Sequence, residues 1–347
     1  MMKTHVTIKE IAKEAEVSIA TVSMILNHKD QKISEATRNR VLGIVKNRNY
    51  IPNTMARSLV TRQTRTIGLV MPDITNPFFP EIARGAEDKA SQSRYSIIYC
   101  NTDDNLIRED KYIDILTEKM VDGIIFAHSA DRIGGASGLR RCRVPIVLID
   151  RDYDIPNVIG KVLVDNAKAS YKGVSYLLEQ GYKKIAYIAG SMNTQTAKDR
   201  LEGYKKALAE KQIECNDGYV KIGEYKSQWG EAATKELIAE AVTFDAIFCG
   251  NDLIALGAIK SLKQAQLKVP EDIGVMGFDD IYMASMVEPE LTTIKQPNYE
   301  MGFKAAELLI NAIESRTHDA DKLETVVETI ILDAELIVRN STKRSNS

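Results

Sequence analysis

Short apolar runs alternate with amphipathic stretches throughout the chain beyond residue 65, and the alternation passes through two complete series. The first reads TIGLV, an amphipathic segment over 78–91, YSIIYC, a second over 107–119, DGIIF and PIVLI. The second reads GKVLV, 167–180, KKIAYIAG, 198–211, a short run near Tyr219, 230–240, DAIFCG, 253–264 and DIGVMGF. Runs apolar at nearly every position belong to strands buried on both faces, and strands separated by helices pair in parallel because each crossover needs a helix's length of chain. The pattern predicts two doubly wound parallel-sheet subdomains. Such sheets collect ligands beyond the carboxyl ends of their strands, and two facing sheets make a cleft that can close.

Polar and aromatic residues gather at those strand ends. Asn76, Phe78 and Phe79 follow LVMPDIT, Asp150 and Arg151 follow PIVLI, and Arg200 lies past KKIAYIAG. Asn251 and Asp252 follow DAIFCG, Asp279 ends DIGVMGF, Gln296 follows LTTIK, and Trp229 offers a ring on the second lobe. Neighbouring hydroxyls both donate and accept hydrogen bonds, which suits carboxylates, guanidinium forks and carboxamides, while aromatic rings cover C–H faces. Two acids and two arginines cancel, favouring a neutral ligand over a sugar phosphate. Each position also has a structural use: Asp150–Arg151 as an ion pair, Phe78 and Phe79 as core at a helix start, Trp229 on the surface, Asn251 as a cap. Asp252 is the weaker neighbour, since the helix dipole alone favours an acid in a first turn.

The residue pattern excludes several chemistries. No G-x-x-x-x-G-K or G-x-G-x-x-G loop is present for nucleotide phosphates, and no G-x-S-x-G elbow or placed histidine for nucleophilic catalysis. Cys100, Cys142, Cys215 and Cys249 lie far apart, and His5, His28, His128 and His318 have no ligand spacing, so neither a metal nor a disulfide is expected. No cofactor is expected either, and the chain does not read as an enzyme. No apolar run reaches the ~20 residues that span a bilayer, and the start MMKTHVTIKE lacks a signal core. A cytoplasmic protein without membrane contact is expected.

The amino-terminal segment differs from the rest. Residues 7–27, TIKEIAKEAEVSIATVSMILN, spell two short helices joined by a tight turn. Ile8, Ile11, Ala12 and Ala15 form one apolar stripe, and Val22, Ile25 and Leu26 another, behind a capping Ser18. The outer face of the second helix carries Ile19, Ala20, Ser23, Met24 and Asn27, groups small or uncharged enough to approach base edges. A third helix from Ser34 turns Val41, Ile44 and Val45 inward. Residues 1–65 hold twelve Lys or Arg against five acids, a surplus of seven; with a total of −2, the remainder carries −9. One module built to neutralise phosphates beside another that is not fits this asymmetry.

V-S-I-A-T-V-S, I-S-E-A-T-R-N-R-V and N-Y-I-P-N-T-M-A-R-S-L resemble, in unbroken order, the DNA-binding head of the LacI/GalR repressors. The resemblance implies DNA contacts by Thr7, Ser18, Ile19, Ala20, Thr21, Ser23, Met24, Asn27, Ser34, Thr37, Arg38, Tyr50, Asn53, Ala56, Arg57 and Leu59. It further implies a hinge after Asn53 that becomes helical only on operator DNA, with Leu59 wedged into the minor groove. A segment so short cannot hold a helix alone in water. Met24 stands where many relatives carry a basic or polar residue, and a thioether cannot make arginine's paired bonds to guanine.

From 66 to 339, with GNDLIALGA, GFDD and LTTIKQP as anchors, the chain resembles the periplasmic sugar-binding proteins, whose fold the family's regulatory core shares. The pocket set Asn76, Phe78, Phe79, Asp150, Arg151, Arg200, Trp229, Asn251, Asp279 and Gln296 looks most like a ribose-type site. The expected layout is a helix-turn-helix domain over 1–53, a hinge and linker over 54–65, a core over 66–340 and a disordered tail over 341–347. Within the core, 66–162 plus 294–325 are expected to form one subdomain and 163–293 plus 326–340 the other. The resemblance implies a repressor of sugar-utilisation genes, a homodimer through its core on a pseudo-palindromic operator, switched in either direction by a pentose. A purine or phosphoprotein co-effector remains open within this class, and a sugar transport receptor outside it.

Overall fold

The computed structural model describes residues 6–27, 29–51, 63–129, 139, 141–240, 242–316 and 327–343. Asn53, Ala56, Arg57 and Leu59, with the rest of the hinge over 54–62, lie outside them, as do tail residues 344–347. The chain divides into two compact units, residues 1–64 and 65–347.

The first unit holds three helices, α1 (Ile8–Glu14), α2 (Ile19–Leu26) and α3 (Glu35–Asn47). Each begins at a hydroxyl cap. Thr7 and Glu10 form a reciprocal capping box, Ser18 accepts from the Thr21 amide, and Ser34 accepts from the Thr37 amide. Glu16 at φ +52° ends α1: its amide returns to the Lys13 carbonyl and that of Val17 to Ala12. Asn49 at φ +47° ends α3 in the same way. Ile11, Ala12, Ala15, Val22, Ile25 and Val41 are buried together, with Ile8, Leu26, Ile44, Val45 and Tyr50 packed against them. Each large side chain among them contributes about 1.5–3 kcal/mol.

The second unit contains two six-stranded sheets. The first runs β11 (Glu328–Leu332), β5 (Val158–Val164), β4 (Ile146–Ile149), β3 (Gly123–Phe126), β1 (Thr66–Met71), β2 (Ser96–Asn101). The second runs β12 (Glu335–Ile337), β10 (Thr292–Lys295), β9 (Gly274–Asp279), β8 (Ala246–Cys249), β6 (Ile185–Ala189), β7 (Val220–Ile222). All pairings are parallel except β10 with β12. This unit's helices include α4 (Phe78–Gln92), α5 (Leu106–Glu118), α6 (Asn166–Glu179), α7 (Gln195–Glu210), α8 (Ser227–Ala239), α9 (Asp252–Gln264) and α10 (Asn298–Arg316). α4 packs on α10, α6 on α7 and α8 on α9. Among the described residues, no helix is long and apolar enough to cross a membrane.

The lobes exchange chain differently from the expected division. GKVLV, read as opening the second series, lies in β5, which pairs with β4 in the first sheet. β10 belongs wholly to the second sheet, although 294 onward was assigned to the first lobe, and β11 belongs to the first sheet, although 326 onward was assigned to the second. An apolar period marks a strand but not its ladder partner, so these edge strands carry no local sign of their sheet. Three connections cross between lobes, from β5 into α6, from β10 into α10 and from β11 into β12. The expected tail also begins too early. Ser341 and Thr342 are fully buried in a single turn, Asn340–Thr342. The Ser341 hydroxyl donates to the Val275 carbonyl at 2.6 Å and accepts from the Thr292 amide at 2.8 Å, so hydroxyls that look disordered in sequence complete buried backbone bonds.

Candidate functional site

On α2 the residues expected to face DNA divide in two. Ile19 and Met24 are 44% and 40% exposed, large apolar groups left open on a small unit, and Ser18 and Ala20 are exposed beside them. The polar members are engaged within the free head. Thr21 and Ser18 share a hydroxyl contact of 2.9 Å, and the Asn27 amide donates to the Ser23 carbonyl at 2.7 Å. Thr7, Ser34 and Thr37 sit at helix starts, Tyr50 is half-buried on the core, and Arg38 donates through Nε to the buried Asp30 carboxylate at 2.5 Å. The caps present the amino ends of α2 and α3 at the surface, where backbone amides favour phosphate oxygens.

Between the two sheets lies a cavity of about 770 Å³, within the range of small-molecule sites. Nine of the ten residues read from the strand ends line it: Asn76, Phe78, Phe79, Asp150, Arg151, Arg200, Asn251, Asp279 and Gln296. Asn76 accepts from the Phe78 amide at 3.2 Å, which starts α4 at the rim, and the two phenyl rings meet edge-on with centroids 5.0 Å apart. Arg151 Nη1 donates to the His128 carbonyl at 2.7 Å and to Asp104 at 3.1 Å, with Asp150 3.5 Å from its Nε. Arg200 donates through Nε to Asn166 at 2.7 Å and through Nη1 to the Gly250 carbonyl at 2.5 Å. Its guanidinium lies 3.7 Å over the Phe278 ring and 3.8 Å from Asp279. Asp279 accepts from Gln296 Nε2 at 2.8 Å.

Four buried polar atoms on the cavity lining lack a hydrogen-bond partner: Arg151 Nε, Asn251 Nδ2, Gln296 Oε1 and Tyr225 Oη. Leaving such groups unmatched costs about 1–3 kcal/mol each. Two are donors, one is an acceptor and the phenol is both. Asn251 therefore serves two ends: its Oδ1 caps α9 by accepting from the Ile254 amide, while its Nδ2 stays unsatisfied.

Two models of known families cover this architecture. One described as "Bacterial regulatory proteins, lacI family" matches residues 7–53, and one described as "Periplasmic binding proteins and sugar binding domain of LacI family" matches residues 64–336. The chain belongs to the LacI family. A LacI-family relative, the HTH-type transcriptional regulator RegA of Clostridium acetobutylicum, is 41% identical over 97% of this chain and 99% of its own. The ribose operon repressor of Halalkalibacterium halodurans is 36% identical over 97% of each. The crystal structure of the lac repressor dimer bound to operator and the anti-inducer ONPF superposes with a TM-score of 0.84 at 25% identity, covering 98% of this chain and 99% of that one. This LacI-family chain is thus a DNA-binding transcription regulator with a helix-turn-helix head and a two-sheet core.

One expected site residue of this LacI-family core is misplaced. Trp229 does not line the cavity; its Nε1 donates to the Ala189 carbonyl at 2.9 Å, and its ring covers Gly223, where a Cβ would come within 2.3 Å. The indole is spent on fastening the ends of β6 and β7. The aromatic of the second lobe that does reach the cavity is Tyr225, whose ring lies so close to Gly190 that a Cβ there would approach it to 2.3 Å. Its signal was the same as for the others, a position just past the carboxyl end of β7. Asp104 and Thr196 also line the site without having been expected. Asp252 does not; it accepts from the Ile281 amide and the Thr293 hydroxyl, a structural use.

Burial raises the Asp279 carboxyl to about 7, against the opposing pull of Arg200 and the Gln296 bond. Burial also pushes Asp150 up despite Arg151 and Arg200. Burial disfavours charge on Arg151, but Asp104 and Asp150 outweigh it and hold that group above its normal value. An acid whose pKa is higher folded than unfolded stabilises the fold fully below its unfolded pKa, and that contribution is lost as pH rises through the folded value. Urea denaturation is therefore expected to show the parent losing stability relative to Asp279→Asn between pH 5 and pH 8. A constant difference across that window contradicts the raised carboxyl.

Proposed function

We propose that this regulator represses sugar-utilisation genes from a pseudo-palindromic operator, binding it as a homodimer and changing its affinity when a neutral sugar, D-ribose foremost, fills the cleft between its lobes. The observation that carries the ligand class is the set of four unmatched polar atoms around the cavity. A ring of adjacent hydroxyls donates to Gln296 Oε1, accepts from Arg151 Nε and Asn251 Nδ2, and does either with Tyr225. Phe78 and Phe79 supply apolar faces for the sugar's C–H groups. The relative named a ribose operon repressor supports the pentose.

The switch is linkage. A ligand touching both lobes binds the closed cleft more tightly than the open one and shifts the population towards closure. In this reading Ile19, Ala20, Ser23, Met24 and Asn27 meet base edges, Thr7, Ser18, Thr21, Ser34, Thr37, Arg38, Tyr50, Asn53 and Arg57 hold the head on the backbone, and Ala56 and Leu59 enter the minor groove. The protein works in the cytoplasm, where the operator is, and turns no substrate over.

A thermal-shift screen of the full chain against pentoses, hexoses and nucleobases tests the ligand class. D-ribose at a thousandfold excess over its Kd is expected to add about 4 kcal/mol, a rise of several degrees in Tm. A shift with nucleobases and none with any sugar would replace the sugar by a stacked purine.

A further inference from the structure

The turn after β9 is strained and clamped from outside. Asp279 has φ +110° and Asp280 φ +57°, two successive side-chain-bearing residues in the left-handed half of backbone space. On one side the Ile281 amide donates to Asp252 at 2.8 Å. On the other, Arg339 Nη2 lies 2.7 Å from Asp280 Oδ1, both side chains largely buried at 17% and 13% exposure. Arg339 is itself pinned to the second lobe. Its Nη1 donates to the Leu291 carbonyl at 2.8 Å, its amide donates to the Thr292 hydroxyl at 2.9 Å, and the buried turn Asn340–Thr342 follows at once.

We infer that Arg339, which does not line the cavity, is a positioning residue for effector recognition: by gripping Asp280 it holds the turn that presents the Asp279 carboxyl to the cleft. The inference rests on the reading of Asp279 as a sugar contact. Loss of the guanidinium leaves the other clamp, the Ile281 amide on Asp252, but frees the Asp280 side chain; the two left-handed residues then relax, and the Asp279 carboxyl turns away from Gln296 and Arg200 towards water. A purely structural Arg339 would alter stability and leave that carboxyl where it is.

The test uses the full chain with Arg339→Met, which keeps the stem and removes the charge, and needs no sugar for its main readout. Carboxyl titration of carbon-13-labelled aspartate, with Asp279 assigned from Asp279→Asn, follows the group that stands at about 7 in the parent. In Arg339→Met its pKa is expected to fall towards the ordinary carboxyl range. Adding Asp280→Gly to that variant is expected to restore it, because glycine takes a positive φ without strain. A parent-like titration in Arg339→Met, with only a lowered Tm, overturns the inference. Should that variant fail to fold, Asp280→Asn weakens the pair from its other end, and the same two outcomes decide. Calorimetry with D-ribose then separates the claims. A tenfold or greater loss in Asp279→Asn and in Arg339→Met, recovered in the double variant, supports both. Parent-like ribose binding by Asp279→Asn overturns the sugar contact and leaves the titration to judge Arg339.

Discussion

Replacing Asp279 with asparagine is expected to weaken D-ribose binding about a hundredfold while leaving unliganded operator affinity within about threefold of the parent. The substitution keeps the shape of the side chain and changes what it can accept. Above its raised pKa of about 7 the carboxylate receives Gln296 Nε2 at 2.8 Å and stands 3.8 Å from Arg200, with its side chain 5% exposed. An amide must turn one face of donors towards donors, and it can accept only half of what a carboxylate accepts from two hydroxyls. Hydrogen bonds to charged groups contribute about 1.5–3 kcal/mol each, so losing one and disturbing a second comes to about 3 kcal/mol, close to two decades in Kd. Titration calorimetry measures the first quantity and fluorescence anisotropy on labelled operator the second. Parent-like ribose affinity would remove Asp279 from the site; a parallel collapse of DNA binding would make it a folding residue instead.

Operator binding is expected to fall about a thousandfold between 50 and 200 mM salt. Twelve Lys and Arg lie in residues 1–65, and a dimer presents them twice. A protein making six to ten phosphate contacts releases enough counterions for a loss of about 10³–10⁵ over that range. The lower end is expected because part of the charge is already committed. Arg38 is paired with the buried Asp30 at 2.5 Å, and Arg48 with Glu14 at 2.7 Å. The Arg48 pair is exposed on both sides and is given up at little cost, whereas Asp30 is only 3% exposed and breaking its pair with Arg38 costs more. Anisotropy titrations across four salt concentrations yield the slope of log K against log salt. A flat profile is incompatible with a head that works by neutralising phosphates.

Both domains were legible in the sequence for different reasons. In the head, caps and apolar spacing are local, so Ser18, Ser34, Ile11, Val22 and Val41 declare their places within a few residues of chain. In the core, one topological rule did most of the work: residues at or just past a strand's carboxyl end face the cleft, and Asp150, Asn251, Asp279 and Gln296 all do, with Arg200 reaching it from the helix that follows β6. Tyr225 obeys the same rule, but β7 is a three-residue edge strand, too short to stand out as an apolar run. Trp229 has the chemistry of a sugar contact but not the position, three residues into its helix with its indole on the Ala189 carbonyl. The lobe of β11 was illegible because it depends on pairing across more than a hundred residues, in the ladder between Glu328 and Gly160, whereas β5 and β10 pair with the strands just before them, β4 and β9, and nothing in their own apolar runs says so. Ser341 and Thr342 look like tail because a hydroxyl that closes a buried backbone bond reads the same as one in water.

The three connections between lobes leave neighbouring strands at one margin of each sheet, β5 beside β11 in the first and β10 beside β12 in the second. They act together as the spine of a book. Three parallel tethers along one edge resist sliding and twisting of the covers, and each is short enough to bend only where a strand hands over to the next element. The motion such tethers leave freest is opening and shutting about that edge. A molecule resting between the pages is then expected to register in the core as an angle between the covers, whatever its own shape.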